Sequence, residues 1–203
     1  LYRSWILWHH LNGFSNLTLY INEENEYNLL NEKFKDYVKK GIVSFVDWIW
    51  PGPKKIDGNN PFFQPASQVS CIYRSKKRYR WVGMHDLDEF FVSPLSINLK
   101  IILSKYLNSQ YGSLKICNQH YNIPNNSMIT NVEQVCSNCI FSNYKQIVKP
   151  DKTIYFCVHE VTLGGPILMI DPKEMIMVHL KHRFNCKPTD IMKKQNITFL
   201  NIK

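Results

Sequence analysis

Two aspartates separated by one residue, in Asp86-Leu87-Asp88, are the side chains of this sequence whose type and spacing most plainly suit chemistry. On an extended chain, side chains two residues apart point to the same side. Two carboxylates held that close repel each other unless a cation lies between them. A hard divalent ion such as Mn²⁺ or Mg²⁺ suits these oxygen ligands and shares its remaining positions with phosphates and water. When the C–O bond between a sugar and a diphosphate breaks, charge builds on the leaving phosphate oxygen. A metal neutralises that charge as a Lewis acid, and positioned donors add electrostatic stabilisation. The bland alternative is a solvated turn at a strand end, since chance alone produces such a pair in roughly a third of chains with this aspartate content. Context favours the chemical reading: the apolar run Arg80–His85 precedes the pair, and Glu89, Phe90 and Phe91 follow it.

The elements that must position the pair can be read from periodicity. Residues 2–12 have helical spacing and end at Gly13. A short β-rich run covers 17–21, a helix about 24–40 is capped by Gly41, and a strand covers 42–46. Residues 51–65 are rich in Pro, Gly, Asn and Lys and read as a loop, and 64–75 read as a third helix. A strand over 80–85 then runs straight into Asp86. Residues 97–107 look helical, and further strands are expected at 113–117, 142–148, 154–158 and 167–170. Alternating helices and strands predict an α/β fold with a parallel sheet. Ligand sites of such sheets gather beyond the carboxyl ends of the strands, where Asp86 and Asp88 fall. Residues 1–186 read as one domain and 187–203 as a tail or a last helix.

The 203 residues are enough for one domain with a buried core, and 44% hydrophobic against 20% charged residues reads as globular. Most of the 11 Tyr and 11 Phe are core residues on this reading, and some could line a sugar surface. The net charge of +9 comes from dispersed basic residues and the run Arg74–Arg80. Without an RNA- or DNA-binding signature, charge alone does not make nucleic acid a partner. Of the six cysteines only Cys136 and Cys139 are close in sequence, too few for a zinc site by themselves. Disulfides are expected if the chain is luminal, and Asn16, the stretch Asn125-Asn126-Ser127 and Asn196 lie in glycosylation sequons. No apolar run has the length of a membrane span. The chain begins with Leu1, which reads as a fragment or a processed product.

Several stretches together resemble glycosyltransferase family 92. Central to the likeness are Gln64 and Ala66, then Cys71-Ile-Tyr-Arg74, then Trp81-Val-Gly-Met-His-Asp86-Leu-Asp-Glu-Phe90. Trp5 to Gly13 resembles the family's helix ending in a His-x-x-x-Gly stretch, and Leu19-Tyr-Ile-Asn22 its next strand. Tyr144 to Pro150 with His159 looks like its lysine–proline segment and following histidine, and Val178-His-Leu-Lys181 like its closing motif. Ser70 stands where an aspartate is usual, and Leu180 and Lys181 replace Tyr and Arg.

The resemblance implies a GT-A type nucleotide-diphospho-sugar transferase fold. Its mixed, mostly parallel central sheet is flanked by helices, and its first strand is missing here, before Trp5. It implies an inverting transfer of a hexose, typically galactose, from a UDP-sugar to a glycan acceptor, with Mn²⁺ or Mg²⁺ as cofactor. It also implies a single-pass Golgi membrane glycoprotein whose anchor lies upstream of this chain. Carried over, Asp86 and Asp88 hold the metal and diphosphate. His179 either completes the metal shell or is a core histidine beside a strand. Arg74 either reaches a phosphate or lies at the surface, and Tyr20 and Asn22 fall in the strand near the nucleotide. His159 either contacts substrate or stabilises the sheet. An inverting transfer needs a base, for which Glu160, Asp171 and Glu174 are candidates. The alternative function is a non-catalytic carbohydrate- or partner-binding domain built on the same scaffold.

Overall fold

The computed structural model describes residues 1–49, 64–123, 134–135, 140–157 and 159–182, except for the side chains of 122, 123, 134, 135, 140–143, 160, 181 and 182. The helices are α1 (Tyr2–Leu11), α2 (Glu24–Lys33), α3 (Lys35–Lys39), α4 (Gln64–Ser75) and α5 (Leu99–Ser104). The strands of the first half are β1 (Leu17–Ile21), β2 (Val43–Asp47), β3 (Val82–Met84) and β4 (Glu89–Val92). Those of the second half are β5 (Ser113–Ile123), β6 (Gln134–Val135), β7 (Ile140–Val148), β8 (Thr153–Cys157), β9 (Glu160–Gly164), β10 (Ile167–Met169) and β11 (Ile176–His182).

Local sequence explains most of these. In α1, Trp5, Ile6, Trp8 and His9 are buried on one stripe. Gly13 turns the chain out of α1 at φ +98, a conformation L side chains rarely adopt, and a Cβ there would sit 2.5 Å from Asn98 Oδ1. β1 buries Leu17, Leu19 and Ile21 in strict alternation. The single helix expected over 24–40 is two, because Phe34 leaves helical geometry at φ −112. Its ring is buried beside Phe45, with ring centroids 6.1 Å apart.

The expectation of one mostly parallel sheet needs correction for the described residues. β1 and β2 pair in parallel as a separate two-stranded sheet. The main sheet runs β3-β7-β5-β11-β4, with β10 and β6 also on β5. Within it only β5–β11 and β5–β10 are parallel. β3–β7, β5–β7, β5–β6 and β4–β11 are antiparallel, as is the separate β8–β9 ribbon. Parallel neighbours need long crossovers. After α5 the described chain has only a 3₁₀ turn at Pro150–Lys152 between strands, so strands return beside one another.

β3 and β4 stand at opposite ends of that order, yet only His85, Asp86, Leu87 and Asp88 join them. So short a link spans little distance, and the sheet must curl until its first and last strands meet. The two aspartates sit on that seam. α1 packs beneath it, in a core with Phe90, Val178 and Leu180.

Between β1 and β3 lies a cavity of about 860 Å³, lined by all of β1, all of β3, and residues of α4 from Gln64 to Ser75. Among the described residues β1 pairs only with β2 and β3 only with β7, so each keeps one edge without a partner strand. No described helix is long and apolar enough to cross a membrane.

Candidate functional site

The Asp86–Glu89 segment is a tight turn. The Glu89 N–H donates to the Asp86 carbonyl at 3.1 Å, and the Trp5 indole donates to the same oxygen at 3.0 Å. The expected extended geometry over the aspartates is therefore replaced by a turn at Leu87 and Asp88, which divides the two carboxylates between different partners. The Asp88 carbonyl accepts from the Leu180 N–H at 2.8 Å, tying the turn to β11.

Asp86 lines the cavity, and its side chain is about half exposed. Its Oδ2 meets the Lys145 ammonium at 2.9 Å and its Oδ1 accepts from Gln64 Nε2 at 3.3 Å. Asp88 lies beside His179, Nε2 to Oδ2 at 3.1 Å. Partial burial works against the Asp88 charge, but the His179 hydrogen bond and the positive field there outweigh it, and its pKa falls below the usual range.

Glu89 ties the cluster together. Its Oε2 takes the Asp86 N–H at 2.8 Å and Lys145 Nζ at 3.1 Å, and its Oε1 lies 3.4 Å from His179 Nδ1. The side chains of Glu89 and Lys145 are 1% and 2% exposed, so this is a buried ion pair. Burial disfavours the Lys145 ammonium, yet Glu89 and Asp86 outweigh burial and hold its pKa above the ordinary value. Asn118 Nδ2 also reaches His179 Nδ1, at 3.2 Å, and the His120 ring packs edge-on against His179 at 5.1 Å.

Beneath the turn is a histidine pair, His9 fully buried and His85 partly buried. His9 Nδ1 donates to the Trp5 carbonyl at 2.8 Å, which leaves His9 Nε2 to accept from His85 Nε2 at 3.0 Å. His9 is stacked on Phe90 and fully buried, and desolvation pushes its pKa down to about 3. His85 is lowered too, by burial first and then by the charges of His9 and Lys145.

The remaining expected site residues scatter. Tyr20 and Asn22 line the cavity, and the Tyr20 hydroxyl donates to Ser70 Oγ at 3.3 Å. Arg74 is exposed near the C-terminal end of α4, ten residues from Gln64. At about 1.5 Å per residue that is roughly 15 Å along the helix from the Gln64 end that meets Asp86, and its charge acts on Tyr20 and Cys71. Asp171 is exposed and accepts from the Lys173 N–H. Glu174 binds Lys105 and the Tyr106 hydroxyl. Both precede β11, which begins at Ile176. The Glu160 side chain lies outside the described residues. His159 sits in the turn between β8 and β9. Cys136 and Cys139, and the tail from 187, also lie outside the described residues.

A divalent cation is implied, and the donors can be tested for it. Among the described residues no three His, Cys, Asp or Glu side chains form a ready metal cage. Cations that serve nucleotide phosphates need only one or two carboxylates from the protein, with water and phosphate completing the shell. Asp88 Oδ2 and His179 Nε2, 3.1 Å apart, match the edge between adjacent ligands at roughly 2.1 Å from an octahedral ion. Three carboxyl side chains, Asp86, Asp88 and Glu89, gather around the single ammonium of Lys145 and the His179 ring. The donors fit.

Lys145 is the main residue that sequence reasoning missed as a site residue. Its only signal was the lysine–proline stretch, which gives no hint that strand β7 would carry it under Asp86. β11 was missed as a strand, because Ile176–His182 is apolar throughout its buried part and lacks alternation.

The family model for glycosyltransferase family 92 matches residues 3–202. A family 92 protein of rice (Oryza sativa subsp. japonica) is 23% identical over 193 residues, covering 89% of this chain and 31% of its own. A castor bean (Ricinus communis) family 92 protein is 25% identical over 195 residues, covering 89% and 33%. The chain thus spans about a third of the length of these curated relatives. With nearly its whole length matched, the chain belongs to glycosyltransferase family 92.

Proposed function

We propose that this chain is the core of a metal-dependent, inverting glycosyltransferase of GT-A type that moves a hexose, galactose on the family likeness, from a UDP-sugar to a glycan acceptor. The observation that carries the reading is the seam cluster: Asp88 and His179 stand as two adjacent ligands, with Asp88 two residues on from Asp86, which itself lines an 860 Å³ cavity. That volume suits a ligand of nucleotide-sugar size. Asp88 and His179 would hold Mn²⁺ or Mg²⁺, with Asp86 close by. When bound, the ion supplies Lewis-acid stabilisation of the leaving diphosphate. Tyr20 and Asn22 offer a ring and an amide to the nucleotide from the cavity wall. Trp5 fixes the Asp86 backbone so that the turn keeps its shape.

Glu160, with Asp171 as the alternative, is the candidate for the base that takes the acceptor proton. The next residue, Val161, donates its N–H to Gln146, the neighbour of Lys145 on β7, which brings this backbone close to the cluster's strand. A luminal, Golgi-membrane setting with an anchor upstream follows the family likeness. The disulfide at Cys117 accords with an oxidising compartment.

The test is calorimetric titration with UDP in the presence and absence of Mn²⁺, for the natural chain and for Asp88→Asn. Binding should require the metal and fall at least tenfold in the variant. Equal UDP affinity with and without metal would refute the reading and favour a scaffold that binds without catalysing.

A further inference from the structure

The proposed cation site leaves two buried charges, Glu89 and Lys145, that touch neither the donor nor the ion. We propose that they are positioning residues: Glu89 sets which nitrogen of His179 carries its proton, and Lys145 holds Asp86 in place. The inference rests on the cation reading above.

The geometry follows from strand register. Glu89 on β4 pairs with His179 on β11, so the two side chains emerge together on one face. For Nε2 of His179 to ligate a cation, its lone pair must be free and the proton must sit on Nδ1. Glu89 Oε1 stands 3.4 Å from that nitrogen as an acceptor. Asn118 Nδ2, at 3.2 Å, is a donor and favours the opposite tautomer, in which Nε2–H points at Asp88. A buried carboxylate accepting from an N–H makes a stronger bond than a neutral amide, so Glu89 decides the competition once a cation claims Nε2. The exchange balances: Nε2 loses one proton to water, Nδ1 takes one, and the ring stays neutral.

Lys145 makes this possible. Its ammonium, 3.1 Å from Glu89 Oε2, works against the burial that disfavours the Glu89 charge. It also pins Asp86 Oδ2 at 2.9 Å, leaving Oδ1 on the Gln64 side. A buried ion pair adds little stability over apolar residues of the same volume. Stability therefore does not account for the pair, whereas its contacts with both Asp86 and His179 do.

The experiment titrates Mn²⁺ by electron paramagnetic resonance into the full chain, Glu89→Gln, Lys145→Met and the double variant, with thermal melts alongside. Lys145→Met leaves Glu89 buried without its cation, Glu89→Gln leaves Lys145 with Asp86 alone, and both should melt earlier. The double variant, with neither charge, should recover most of the lost stability yet bind Mn²⁺ about 10- to 100-fold more weakly than the natural chain. In saturating Mg²⁺, imidazole ¹⁵N spectra of the natural chain should place the His179 proton on Nδ1. A double variant that melts and binds like the natural chain overturns the proposal, as does a His179 proton that stays on Nε2. The spectra decide alone if the variants do not fold. Failure of the natural chain to bind Mn²⁺, or unchanged binding by Asp88→Asn, overturns the cation reading itself and the proposal with it.

Discussion

Acidification should force protons onto a histidine pair that the fold keeps neutral. His9 is fully buried, and its pKa is pushed from 6.5 down to about 3. The unfolded chain therefore binds a proton at His9 throughout the interval between those values, while the folded chain does not. Stability from this group is complete above its unfolded value and falls as pH drops through and below it. Between about pH 7 and about pH 5 the loss from His9 alone comes to about 2 kcal/mol, and His85 shifts in the same direction. The variant to compare is His9→Phe, because the ring already sits among Phe14, Phe90 and Phe91. Phenylalanine there gives up the bonds to the Trp5 carbonyl and to His85 Nε2 and cannot titrate. Urea unfolding of both proteins at the two pH values isolates the effect, since losses unrelated to titration cancel in the difference. The natural chain should lose about 2 kcal/mol more than the variant on acidification. Parallel pH profiles for the two proteins would refute the assignment of a neutral, buried His9.

Other outcomes are also specific. Trp5→Phe removes the indole bond to the Asp86 carbonyl; it should cost about 1 kcal/mol in chemical denaturation and weaken Mn²⁺-dependent UDP binding by loosening the turn. Gly13→Ala faces both the positive φ and the Asn98 contact; a loss of about 1–3 kcal/mol in the same assay is expected, and a neutral result would contradict the geometry of that turn.

The sequence was most legible where one residue type answered one physical need. Gly13 and Gly41 marked turns with positive φ, and the helix over 64–75 was read to the residue. It was least legible where distant strands decide. β11 looks like any buried apolar run, and only its place between β5 and β4 makes His179 a neighbour of both Glu89 and Asp88. The turn at Leu87 and Asp88 was read as extended because local propensity does not register the curling of a sheet. That curl brings β3 and β4 together and bends the four residues between them. Lys145 carried no local signal of burial, since lysine is almost never fully buried without partners, and its partners lie 56 and 59 residues away in sequence.

Among the described residues β1 and β3 each keep one edge without a partner strand, which has a consequence for handling the molecule. A strand without a neighbour presents a ladder of main-chain donors and acceptors that will zip onto whatever extended polypeptide arrives first. Soluble yield and the monomer fraction of this chain should therefore depend on protein concentration more than its high net charge suggests.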